Sequence, residues 1–140
     1  MTETTHTPVD MGWLLEQLAV GAPGILAALV TSNDGLPLHQ YQLGQEAAER
    51  ISAIVSGAAS LGRGLDAIPG LDLPPGGSFE QVVMYHSSVR LMIGRAGDHA
   101  LLAVVAHLDA DMPAIGYAMD QLASRLSGHL GTSVRQSTAG

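Results

Sequence analysis

Residues Pro23–Gln42, PGILAALVTSNDGLPLHQYQ, constrain the fold more than any other stretch of this chain. An uncharged run, Ile25 to Val30, is followed by Asn33-Asp34-Gly35 and then by a more polar run, Leu36 to Gln42. Asp-Gly between two such runs predicts a β-hairpin with a tight primed turn, because that turn needs residues that accept positive φ. The first strand is apolar at successive positions, which implies cover on both faces of a sheet. The second carries Pro37, whose missing N–H places it at an edge.

Helical periodicity flanks the hairpin. Asp10 is positioned as an N-cap, and Met11, Leu14, Leu15 and Leu18 follow as one apolar stripe, with Trp13 at its margin. Gly21 and Pro23 end that helix. Gly44 opens a long helix over Gln45–Leu65. In it, Ala47, Ile51, Ile54, Ala58 and Leu61 form the stripe expected to face the sheet. Ala53, Gly57, Ser60 and Gly64 form a second stripe of small residues. Glycine within a helix costs about 1 kcal/mol relative to alanine, so a close approach by a second helix is expected to offset that cost.

Residues 66–77, DAIPGLDLPPGG, form a loop by composition. Ser78–His86 reads as a strand with Val82 and Met84 on one face and Phe79, Val83 and Tyr85 on the other. Ser87-Ser88 turns into a strand over Val89–Ala96. Gly97-Asp98 turns again into Ala100–His107, a strand apolar on both faces. Asp111 caps a last helix that has Pro113 in its first turn and Ile115, Met119, Leu122 and Leu126 as its buried stripe. A single domain over 10–130 is expected, with flexible tails at 1–9 and 131–140.

The element order is α-β-β-α-β-β-β-α. Short turns make the first and second strands neighbours, then the third with the fourth and the fourth with the fifth. The strands at 25–30 and 100–106 are the two that are apolar on both faces, so both belong in the centre. Joining them gives a five-stranded antiparallel sheet of order 2-1-5-4-3, an α/β (α+β) fold with helices on both faces. The second and third strands then lie at the edges. Pro37 blunts one edge. The other, at 78–86, has no such protection and reads as a binding edge. Together with the small-residue stripe it suggests a symmetric homodimer through Ala53, Gly57, Ser60 and Gly64 of the long helix and Glu80, Val82, Met84 and His86 of the strand.

Composition removes several function classes. The chain of 140 residues carries a net charge of −7. It has no lysine, so a basic groove for nucleic acid is absent. It has no cysteine, which excludes disulfides, thiol catalysis and thiolate metal sites. No apolar run approaches the ~20 residues of a membrane span, and the N-terminus lacks the features of a signal peptide, so a cytoplasmic protein without membrane insertion is expected. His39, His86, His99, His107 and His129 show no HxH or HExxH spacing, and a sheet-end or surface role is preferred to a metal site. Gly62-Arg63-Gly64 and Pro75-Gly76-Gly77 lack the lysine and hydroxyl of a phosphate-binding loop. Arg63 near a helix C-terminus suits the helix dipole, with contact to a transferring phosphoryl group as the sharper alternative. Asp109 and Asp111 read as a turn and a cap rather than as paired acids. Ser56 and Ser60 have no assembled His/Asp partners. No catalytic residue, cofactor or metal is expected.

Three pieces resemble the roadblock / dynein light chain family: Trp13-Leu14-Leu15 through Val20-Gly21-Ala22-Pro23-Gly24, then Ala28 through Leu38 with its Asn33-Asp34-Gly35 turn, then Ala47–Leu61 with Ser52-Ala53-Ile54 and Ser56-Gly57-Ala58. Within it, the chain is similar to the bacterial roadblock proteins of actinobacterial conservon operons. The resemblance implies dimerisation through the third strand and second helix. It also implies a non-enzymatic regulator or scaffold for a small Ras-like GTPase, with a histidine-kinase-like membrane protein as a further partner that recruits it to the inner face of the membrane. Arg63 is the candidate GTPase contact. The alternative is a small-molecule sensor of mixed α/β fold, which would need a hollow core lined by Tyr85 and His107.

Overall fold

A computed structural model describes residues 10–139, with side chains as far as Leu126. Its elements are α1 (Met11–Gly21), β1 (Ile25–Ser32), β2 (Pro37–Tyr41), α2 (Gln45–Arg63), β3 (Gln81–Tyr85), β4 (Arg90–Arg95), β5 (Ala100–Ala106) and α3 (Met112–Ala139). The five strands form one antiparallel sheet of order β2-β1-β5-β4-β3, as the two doubly apolar strands require. In the centre, Val30 lies between His39 of β2 and Leu102 of β5, and Ile93 of β4 lies between Val82 and Ala103.

Each face of the sheet has its own core. α1 and α3 cover one face, burying Leu14, Leu15, Leu18, Ile115, Met119 and Leu126 against Ala28, Val30, Leu102 and Val104. α2 covers the other, where Val55 and Ala59 pack with Leu29, Leu101, Ile93 and Ala103. Each large apolar side chain fully buried this way contributes roughly 1.5–3 kcal/mol. The Asp10 carboxylate accepts the Trp13 N–H at 3.1 Å and starts α1 where the cap residue predicts. Asp111 does the same for α3, accepting the Ala114 N–H at 3.1 Å.

Four local readings are corrected. First, the side of α2 that meets the sheet is Ala48, Ser52, Val55 and Ala59, about one residue round from the stripe expected there. Ala47, Ile54 and Leu61 face outward, while Ile51 and Ala58 lie at the margin. The helix sits close to the sheet, so small side chains occupy the gap and longer ones are left outside. Gly62 extends that inner side: a Cβ there would lie 3.2 Å from the Cβ of Phe79.

Second, the first hairpin does not use a primed turn. The Ser32 N–H donates to Leu36 O at 2.9 Å around a loop of three residues, and within that loop only Gly35 has positive φ, at +91°. A three-residue hairpin loop with glycine in the left-handed region is the next most common solution after the primed turns. The register shift between Val30 and Thr31 accompanies it.

Third, β3 is Gln81–Tyr85, shorter than the expected 78–86. Fourth, Phe79 precedes it and escapes its alternation, packing with Val82 on the α2 side rather than with Val83. Residues 1–9, expected as a tail, lie outside the described residues. The segment expected as a tail from 131 lies within the span of α3, which runs to Ala139, in the part where no side chain is described.

Candidate functional site

β3 pairs with β4 on one side only, so its outer backbone row has no partner strand among the described residues. It is short, which limits pairing, but it has no proline or lysine to block it and so keeps its capacity to accept another strand. Val82 and Met84 point to the α2 face of the sheet, Val82 half-buried against the core and Met84 exposed. Glu80, just before the strand, and His86, just after it, are exposed.

On that same face lies the outward side of α2. Ala53, Gly57, Ser60 and Gly64 are all exposed, and a Cβ at Gly57 would meet nothing within 4 Å. Ile54 is 49% exposed, Leu61 80% and Leu65 64%. α2 therefore carries two apolar sides, one spent on the sheet and one turned to solvent. Neighbouring apolar side chains exposed along a helix mark a surface that gains by being covered. The residues singled out for self-association thus fall together at one edge and one face. His86 sits at the end of that edge with its ring held in the β3–β4 turn, where Nδ1 accepts the Ser88 N–H at 2.9 Å and its carbonyl accepts from Arg90 Nη1 at 2.7 Å.

Arg63 is the last residue of α2 and is exposed. It lines a cavity of about 170 Å³ together with Asn33, Asp66, Ser78, Arg95 and Asp98. Periodicity cannot find this cluster, because its members come from four separate turns and ends. Arg95 donates to Ser78 Oγ at 3.0 Å and pairs with Asp98 at 3.3 Å, while the Asn33 amide donates to Asp98 O at 2.9 Å.

Two further histidines sit in structural surroundings. His107 Nδ1 accepts the Asp109 N–H at 3.1 Å, and the His107 N–H donates to Gly24 O at 2.8 Å. His39 has its pKa lowered from the ordinary 6.5, because partial burial disfavours the charged ring more than the Asp10 carboxylate favours it. Among the described residues no group of three or more His, Asp or Glu side chains gathers as metal ligands do. Tyr85 stacks on the Arg90 guanidinium, 4.8 Å from ring centroid to charge, and both Tyr85 and His107 are exposed. They do not line a hollow core; the central strands between them are filled by alanine, valine and leucine. Ser52 Oγ is buried without a hydrogen-bond partner among the described residues. Within the described residues no helix is long and apolar enough to cross a membrane.

Comparison with known proteins places this geometry. The family model described as the Roadblock/LC7 domain matches residues 11–106. A Roadblock/LC7 domain from Streptomyces avermitilis is 33% identical, with a TM-score of 0.79 over 87% of this chain and 98% of that one. The gliding protein MglB from Thermus thermophilus is 18% identical, with a TM-score of 0.69 over 84% of this chain and 87% of that one. Myxococcus xanthus MglB is 11% identical, with a TM-score of 0.73 over 87% and 95%. At such identities the two MglB structures establish a shared fold and nothing further. No match is found among curated proteins.

Proposed function

The chain belongs to the Roadblock/LC7 family, and from that premise we propose that it is a homodimeric scaffold that binds a small Ras-like GTPase in a bacterial signalling complex and modulates its nucleotide cycle. Roadblock/LC7 domains are a non-catalytic family, so the work is done by surfaces. The observation that carries the reading is the pairing of an open β3 edge with the outward apolar side of α2 on one face. In the dimer, β3 aligns antiparallel with its copy, and the two α2 helices meet through Ala53, Gly57, Ser60 and Gly64. Glu80, Val82, Met84 and His86 flank the strand junction. Small residues let the helices approach, and Ile54, Leu61 and Leu65 bury what solvent now touches. A stable interface of this kind hides about 1,200–2,000 Å² in total.

Arg63 lies at the end of the paired helix and supplies the charged contact for the GTPase. The partners, a Ras-like GTPase and a histidine-kinase-like membrane protein, bring a cytoplasmic scaffold to the inner face of the membrane.

Light scattering on the full chain reads the dimer directly, and a monomeric mass at micromolar concentration rejects it. Mixing the chain with the Ras-like GTPase of its own operon, loaded with GDP or with a GTP analogue, reads the partner. Co-elution in either state, with an altered hydrolysis rate, is expected. Independent elution in both states removes the GTPase assignment while leaving the dimer standing.

A further inference from the structure

Ser78 stands just ahead of β3, exposed, in a stretch without helix or strand. Arg95 Nη1, from the end of β4, donates to its Oγ at 3.0 Å. Nη2 of the same guanidinium meets Asp98 Oδ1 at 3.3 Å. Arg63, from the end of α2, lines the cavity of about 170 Å³ that Ser78 and Arg95 share. On the α3 side, the same Ser78 and Arg95 border a second cavity of about 340 Å³. Both are several times the ~30 Å³ that a water molecule occupies in the liquid, so a tetrahedral oxyanion fits beside the hydroxyl. Three elements distant in sequence thus set Arg95 against Ser78 and Arg63 on the wall of the same cavity.

We infer that Ser78 is a phosphorylation site whose phosphoryl group is received by Arg95 and Arg63. The donor is ATP and the agent a protein kinase. The Ser78 Oγ–P bond forms, the bond from the γ-phosphorus to its bridging oxygen breaks, ADP leaves, and the hydroxyl proton passes to the kinase's base. The serine hydroxyl offers Arg95 one acceptor; a phosphoserine offers three oxygens and a charge near −2. The exposed Arg95–Asp98 pair is weak, and a guanidinium matches phosphate with two parallel hydrogen bonds. Asp66 and Asp98 in the first cavity, and Glu80, Asp98 and Asp120 in the second, oppose the added charge. Arg95 leads the reception because it already donates to the oxygen to which phosphorus bonds, and Arg63 adds its charge from the wall of the first cavity. The modified segment is then tied to β4 and α2 at the entry to β3. This inference needs no GTPase partner, although it draws on the same Arg63, and its test reads the phosphate and not the GTPase.

Two measurements on the full chain test it. Phosphoserine is encoded at position 78, and the second ionisation of its phosphate, ordinarily near pKa 6, is followed by phosphorus NMR. Its acid dissociation constant should be at least about threefold larger in the otherwise native chain than with Arg95→Gln, and larger than with Arg63→Gln. Arg63→Gln lies at an exposed helix end and keeps the test valid if Arg95→Gln misfolds. Equal constants overturn the receiving site. In the second measurement, the unmodified chain and Ser78→Ala are incubated with ATP and extract of the protein's own cells. Most of the incorporated phosphate should vanish with Ser78→Ala; equal incorporation overturns the assignment.

Discussion

The hydroxyl of Ser56, midway along α2, donates to the carbonyl oxygen of Asn33 at 2.9 Å, so the helix holds the tip of the first hairpin from the side. Gly35 completes the fit. A Cβ there would lie 3.3 Å from the Cβ of Ser56, on a residue whose φ is +91°. Ser56→Ala should cost about 1 kcal/mol, the net worth of one hydrogen bond. Gly35→Ala should cost more, about 2 kcal/mol, from left-handed strain and crowding together. Urea denaturation of both variants measures the difference, and the reverse order would contradict the account of this turn.

Gly24 faces a harder constraint. A Cβ at that position would fall 2.6 Å from the Cβ of Ala110, and its φ is +98°. Its carbonyl also accepts the His107 N–H, so the backbone has little room to retreat. Gly24→Ala is expected to destabilise the fold by about 3 kcal/mol, read as a lower thermal midpoint in calorimetry.

Gly57→Leu separates association from folding. Open space surrounds that position, so leucine meets no clash and should raise helix stability by about 0.5–1 kcal/mol. The expected outcome is a folded monomer whose thermal midpoint no longer rises with protein concentration, as that of a dimer does. Val82→Pro, which removes a donor from the β3 edge region, should also yield monomer but with lower stability. A dimeric mass by light scattering for both variants would exclude the strand–helix interface.

His39 gives a signed pH dependence. Its folded pKa lies below the ordinary 6.5, so the unfolded chain takes up the proton first as pH falls. Stability from this group is therefore complete above about pH 6.5 and declines below it, levelling once the folded form is protonated too. His39→Gln should flatten that decline. Asp10→Asn keeps the helix cap and removes the carboxylate that raises the histidine's pKa, so it should steepen the decline. Denaturant midpoints from pH 7.5 to 5 decide both.

The fold was legible where one apolar pattern had one meaning. Met11, Leu14, Leu15 and Leu18 define a single stripe, and all four are buried. The sheet order followed from only two strands being apolar throughout. α2 was not legible in the same way, because it is apolar on two sides and periodicity cannot say which one meets the sheet. Ala48, Ser52 and Ala59 carry a weak hydrophobic signal, yet their small size is what lets the helix settle against β1 and β5. Phe79 misled because alternation holds only inside a paired strand, and pairing begins at Gln81. The cluster of Arg63, Ser78, Arg95 and Asp98 was hidden for a different reason: tertiary closure alone assembles it.

The two rims of the sheet are unlike, with Pro37 at the β2 margin and nothing comparable along β3. A protein with two adhesive rims can add copies without limit and grow into fibrils. One adhesive rim is consumed by the first match it makes. In the proposed dimer, assembly through β3 stops at two, and the blunt rim is what would keep such a sheet from growing into a polymer.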